Sequence, residues 1–171
     1  MNNIVLKILQ FFLLITVQIF LIDEIDLGSF NYYFSPIIFG LFIISMNLNI
    51  EIWSLMTLAF LMGFSIDIFR NTIGLNISAL IAVAYSRNII LNMISPRDGF
   101  DPLKELNVNT MGLNRYLLYA GVLLFIQHFW FYIIEDFHFN QLHILFIKAI
   151  INSILALGLI ILFQYLTLSK K

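Results

Sequence analysis

IVLKILQFFLLITVQIFLI, residues 4–22, decides the fold. An apolar stretch of about twenty residues is what a helix needs to cross the hydrocarbon of a bilayer. Lys7 is its only charge, and the acidic group Asp23, Glu24 and Asp26 closes it. A basic residue ahead of an apolar run also opens secretory signals. Here acids follow and no small-residue cleavage pattern does, so the stretch reads as a retained first helix.

The pattern recurs along the chain. Of 171 residues, 61% are apolar and 11% charged, where a soluble domain has about 25% charged; the mean hydropathy is +0.95. One core cannot hide that excess, so lipid must face much of it. Backbone groups in lipid have to bond internally, which makes long apolar segments helices and the charges between them loops. The expected spans are residues 4–22, 32–48, 52–69, 73–94, 116–134 and 142–168. The fold class is therefore an all-α polytopic membrane protein of about six helices in one bundle, with five as the alternative count. Pro36 falls in the first turn of the second span, where a missing N–H is tolerated. Residues 95–115, punctuated by Pro96, Gly99, Pro102 and Gly112, form the longest loop. With no internal repeat or low-complexity segment, residues 1–171 read as one transmembrane domain.

Orientation follows from the basic residues, which are in excess in cytoplasmic loops. With the N-terminus inside, Lys7, Arg87, Arg97, Lys104, Arg115, Lys170 and Lys171 lie on the cytoplasmic side, and only Arg70 and Lys148 lie opposite. Both termini and the 95–115 loop are expected to be cytoplasmic.

Several chemistries are excluded or unsupported. The chain has no cysteine, which removes disulfides and thiolate ligands or nucleophiles. A net charge of -1 offers no surface for nucleic acid. No nucleophile elbow, phosphate loop or intramembrane aspartate pair is visible, so no cofactor is implied and an enzyme is the third-ranked reading. Asp136, His138 and His143 cluster in sequence, but without the spacing of a metal site they read as a solvated loop. Gln127 and His128 sit mid-span, where polar groups bond across to another helix. Phe129, Trp130, Phe131 and Tyr132 fit an interfacial aromatic belt, with a periplasmic partner surface as the alternative.

The most distinctive stretch is LMGFSIDIFRNTIGLNISALIAVAY, residues 61–85. Gly63 and Asp67 are four apart and share a helix face. A glycine lets helices approach, and an intramembrane aspartate must face the bundle interior, water or a partner. Arg70, three residues on, is placed to pair with Asp67, and Gly74 suits a tight turn between antiparallel spans. Such a set serves as an interfacial ion pair with a turn glycine, as a partner contact or as a ligand site.

This stretch resembles the MreD family of rod shape-determining proteins. Gly63, Asp67, Ile73, Gly74 and the small residues Ala79, Ala82 and Ala84 stand where that family has its glycine, aspartate, apolar-glycine pair and small-residue helix. Thr72 and Ile73 depart from the proline usual near the break. The likeness runs over nearly the whole length, including SPRDGFDP at residues 95–102, similar to the loop in Bacteroidetes-like members. The resemblance implies a non-enzymatic scaffold in the bacterial cytoplasmic membrane. Its implied partners are an MreC-like single-span protein, MreB-like filaments, and a RodA-type glycosyltransferase with its transpeptidase, surrounded by membrane lipid. Gly63, Asp67, Arg70, Gly74, Ala79 and Ala82 are the candidate structural or partner-contact residues, with Ala149, Ala156 and Gly158 as further small positions. The resemblance also implies an architecture similar to the substrate-binding subunits of energy-coupling-factor transporters. A small-molecule carrier is accordingly the alternative, although Thr16, Gln18, Asp67, Gln127, His128 and Asn152 look too scattered to define one site.

Overall fold

The computed structural model describes residues 3–26, 28, 33–72, 74–96, 99–136 and 142–168. Its helices are α1 (Asn3–Val17), widening into a π-helical turn (Gln18–Ile22), then α2 (Leu41–Ile44), α3 (Ile52–Arg70), α4 (Leu75–Ile94), α5 (Val108–Met111), α6 (Leu113–Asp136) and α7 (Leu142–Leu168). Among them α1 with its π turn, α3, α4, α6 and α7 are long and apolar enough to cross a membrane, so the protein is a multi-pass membrane protein. Helix α3 packs on α4, α4 on α6 and α6 on α7, while α1 lies at the edge.

Five membrane-length helices stand where six were expected, and the second span accounts for the difference. Its first residue, Tyr32, lies outside the described residues. From residue 34 the chain carries no regular structure until the single turn of α2, and it stays irregular from there to residue 51. Pro36 cannot donate a helical hydrogen bond, and Gly40 and the β-branched Ile37, Ile38, Ile43 and Ile44 weaken a helix further. The segment nevertheless runs the length of the bundle. Ser35 bonds Asn152 close to the Asp23 end. At the opposite end, Ser45 meets Lys7 and Leu106, and the Asn49 N–H donates to the Pro102 carbonyl. Extended chain advances about 3.3 Å per residue against 1.5 Å in a helix, so a short irregular stretch covers the same depth. Among the described residues, five membrane-length helices and this irregular segment make up the bundle.

Irregular backbone at membrane depth survives only when buried in protein with its polar groups served. Ile37, Phe39, Leu41, Phe42, Ile43 and Ile44 are almost wholly buried. The serving groups are the scattered polar side chains. Asn152 accepts from the Ser35 N–H at 2.7 Å and donates to the Tyr33 carbonyl at 2.8 Å. Gln18 does the same one step on, accepting from Ile38 N–H at 2.9 Å and donating to the Pro36 carbonyl at 3.2 Å. Each carboxamide thus engages an N–H and a C=O two residues apart, as a neighbouring strand would. His128 Nε2 accepts from the Ile37 N–H at 2.9 Å while Nδ1 lies 2.8 Å from the Leu124 carbonyl. That pair of bonds assigns the neutral tautomer with its proton on Nδ1.

The far end is held by donors. Tyr119 donates to the Ile44 carbonyl at 2.9 Å, and the Arg87 guanidinium donates to the Met46 and Asn47 carbonyls and to Tyr119 Oη. The loop between α4 and α6 is stitched to the same end. Leu106 N–H donates to the Ser45 carbonyl, Lys7 pairs with Glu105 at 3.2 Å, and Val108 N–H donates to Gln164. Asn107 caps α5 reciprocally with Thr110. The predicted 95–115 loop is thus a folded closure, running from the end of α4 at Ile94 to Leu113, and Arg115 belongs to α6. Arg97 lies outside the described residues.

Replacing His128 or Asn152 with Leu should lower unfolding stability in bicelles by about 1–3 kcal/mol each, the cost of stranding buried backbone groups. Thr57, whose hydroxyl bonds its own helix at the exposed Trp53 carbonyl, serves as the control, and Thr57→Val should change stability by less than about 0.5 kcal/mol.

Candidate functional site

The stretch that carried the family resemblance folds into a hairpin of α3 and α4. Asn71 closes α3 in the left-handed conformation (φ 55°), and Gly74 precedes α4 at φ 79°, a region that favours Asn and Gly. Gly74 has no side chain to cap the helix that follows. Asp67 supplies the cap from the preceding helix. Its Oδ1 accepts from Asn76 N–H at 3.1 Å, Asn76 Nδ2 at 2.8 Å and Thr72 Oγ1 at 2.6 Å, and its Oδ2 accepts from Ile77 N–H at 3.2 Å. A carboxylate against the first free N–H groups of a helix satisfies orphan donors and faces the positive end of the helix dipole. Asp67 is 5% exposed.

One turn earlier, Gly63 lies against the same place. A β-carbon there would fall 2.5 Å from Ile77 Cα and 2.7 Å from Ile77 N. Gly63 thus lets α4 approach, and Asp67 binds the N-terminus that approaches. The glycine-aspartate spacing serves contact inside the chain. Ile73 of the motif lies outside the described residues.

Arg70 does not pair with Asp67, contrary to expectation. Its guanidinium forms a two-pronged pair with Asp23, Nε to Oδ2 at 2.7 Å and Nη2 to Oδ1 at 2.5 Å. The reason is geometric: both Asp67 oxygens are filled by donors of α4 and the turn, and the end of α3 brings Arg70 to the π turn of α1. Gln18, which serves residues 36 and 38, also donates to Asp23 at 2.8 Å, so one side chain links the irregular pass to this ion pair.

The small residues proposed for partner contact are mostly used internally. Ala79, Ala149 and Ala156 are buried and Ala82 is half-buried. Gly158 is exposed, with open space where a β-carbon would stand.

Beside the hairpin, a cavity of about 620 Å³ opens at the Asp23 end, lined by Asp23, Ser35, Arg70, Tyr132, Glu135 and Lys148 among others. Lys148 places its ammonium 4.6 Å from the centre of the Tyr132 ring, and Tyr132 donates to the Ser35 carbonyl. Sequence reasoning missed Asn76 and Asp23 as partners of Asp67 and Arg70, and Lys148 as a cavity residue. The visible signal was a lysine inside an otherwise apolar run. Of the suggested Asp136, His138 and His143 cluster, Asp136 lines the cavity and His138 lies outside the described residues.

Asp67→Ala should cost about 1–3 kcal/mol by unfolding in bicelles, through the lost cap and stranded donors. Arg70→Ala should cost about 1 kcal/mol or less. The two losses should add, whereas Arg70 and Asp23 should show coupling in a double-mutant cycle. Gly63→Ala should destabilise by about 1–3 kcal/mol because backbone blocks the methyl, and Gly158→Ala should not destabilise. Comparison with protein families, curated proteins and solved structures finds no match to this chain.

Proposed function

We propose that this protein is a non-enzymatic scaffold of a bacterial cell-wall elongation complex, holding an MreC-like single-span protein and a RodA-type synthase together in the cytoplasmic membrane and linking them to MreB-like filaments. Its resemblance to MreD over nearly the whole length supplies the reading. The observation that carries it is the use of the intramembrane polar groups. Gln18, His128, Asn152, Tyr119 and Arg87 turn inward onto residues 33–47, and the outward faces carry apolar side chains such as Phe12, Phe64, Ile89 and Ile154. Apolar helix faces associate in lipid through close packing with neighbouring helices. Gly158, exposed and open, is the small position left for such a neighbour.

In this reading the segment from residue 34 to 47 is a further pass, so both termini lie on one side, which the excess of basic residues assigns to the cytoplasm. Cysteines at positions 3, 100 and 170 should resist a membrane-impermeant thiol reagent in intact cells; labelling at 100 would invert the topology. Depleting the protein should round the cells, and Gly158→Leu should reduce co-purification of the MreC-like partner without lowering accumulation. Cells that keep their shape but lose uptake of one nutrient would instead support a small-molecule carrier, the reading favoured by the cavity at the Asp23 end.

A further inference from the structure

We propose that the peptide unit between Phe39 and Gly40 has two settings in the middle of the irregular segment, and that Gln127 holds the second. The state of Gln127 carries the inference. It is wholly buried on α6, and among the described residues neither its Nε2 nor its Oε1 has a hydrogen-bond partner. A buried carboxamide ordinarily makes its bonds. Gln18 and Asn152 do so, each engaging one N–H and one C=O of the chain between residues 33 and 38.

What Gln127 faces is a turn. Leu41 N–H donates to the Ile38 carbonyl at 3.0 Å, and Gly40, the third residue of that turn, stands at φ −56° and ψ −24°, the setting of a type I turn. The type II turn keeps the same ends and the same closing bond, with the central peptide reversed and a positive φ at the third residue. That reversal swings the second residue's carbonyl to the face where the third would carry its β-carbon, which is why glycine is favoured there.

At Gly40 that face belongs to Gln127. A β-carbon would fall 2.0 Å from Oε1, 2.9 Å from Cδ and 3.1 Å from Nε2, the three nearest atoms. In the second setting the Phe39 carbonyl, which otherwise accepts from Phe42 N–H at 3.1 Å, accepts from Gln127, its carboxamide turned so that Nε2 leads. Phe42 N–H then has the Ile38 carbonyl, four residues back, as its acceptor, as in a helix. The buried side chains of Phe39, Leu41 and Phe42 keep their places because the ends of the turn do not move. A side chain at residue 40 would bar both the reversal and the close contact. The device rests on the fold alone and is independent of the scaffold reading.

The test is relaxation-dispersion and saturation-transfer NMR on the full chain in bicelles, which report microsecond-to-millisecond exchange. The wild-type chain should show a minor state, about 0.1–10% populated, at Phe39, Gly40 and the Gln127 side-chain amide. Gln127→Met fills the same space without a donor and should lower that population at least about tenfold, as for the loss of one buried hydrogen bond. It should also raise the unfolding midpoint, because an unpaired amide has left the ground state. Gly40→Ala combined with Gln127→Ala, which makes room for the methyl, should hold the turn in its first setting with no exchange at residues 39 and 40. Absence of exchange at Phe39 and Gly40 in the wild type, or its persistence in Gln127→Met or in the double variant, would overturn the proposal. So would a midpoint lowered by Gln127→Met, since Gln127 would then already have a partner, such as a buried water, in the ground state.

Discussion

Backbone amides buried at membrane depth have no water to turn to, and residues 34–47 place a run of them inside this bundle with only the single turn of α2 to serve them. The whole architecture answers that demand. Helix α6 contributes His128, Tyr132 and Tyr119, α7 contributes Asn152, α4 contributes Arg87, and the π turn of α1 contributes Gln18. The π turn has a clear consequence here. A local change of pitch accompanies the inward placement of Gln18, fully buried, with one end on the irregular pass and the other reaching Asp23. Side chains on separate helices are therefore fixed relative to one another through the strand they share.

That arrangement changes what the polar residues mean. Gln18, His128 and Asn152 looked unrelated in sequence because the object they converge on is main chain, which has no signature of its own. The α3–α4 hairpin follows the same logic on a smaller scale. Asp67 stands in for a capping side chain that Gly74 cannot supply, and Gly63 removes the one β-carbon that would hold the capped helix away. In both places an acidic or amide group completes a neighbour's backbone. The buried charge of Arg87 likewise meets carbonyl dipoles, a use suited to a cation at the end of a helical turn.

The membrane class, the boundaries of α3, α4 and α7, and the turn at Gly74 were legible because hydropathy and glycine each report directly on local structure. The irregular pass was not. Residues 32–48 are as apolar as a spanning helix, and composition cannot separate a helix from an extended strand sheltered by its neighbours. Pro36 and Gly40 were present as warnings, but Pro36 alone is compatible with a first helical turn. Gly40 could be read only from the fold, where a β-carbon would fall 2.0 Å from Gln127 Oε1. The partner of Arg70 was hidden for a different reason: three-residue spacing favoured Asp67, while Asp23, 47 residues away, was brought close only because α1 and α3 run parallel and end at the same end of the bundle.

The irregular pass also constrains how the protein is made. Ile37 precedes its acceptor on His128 by 91 residues, and Ser35 precedes Asn152 by 117. At roughly 5–20 residues per second of synthesis, these partners leave the ribosome many seconds after the segment they serve. The irregular segment cannot hold its final form until α6 and α7 have joined the bundle. The arrival of α6 and α7 therefore fixes a segment synthesised long before, and a chain truncated ahead of α7 lacks the Asn152 contacts to residues 33 and 35.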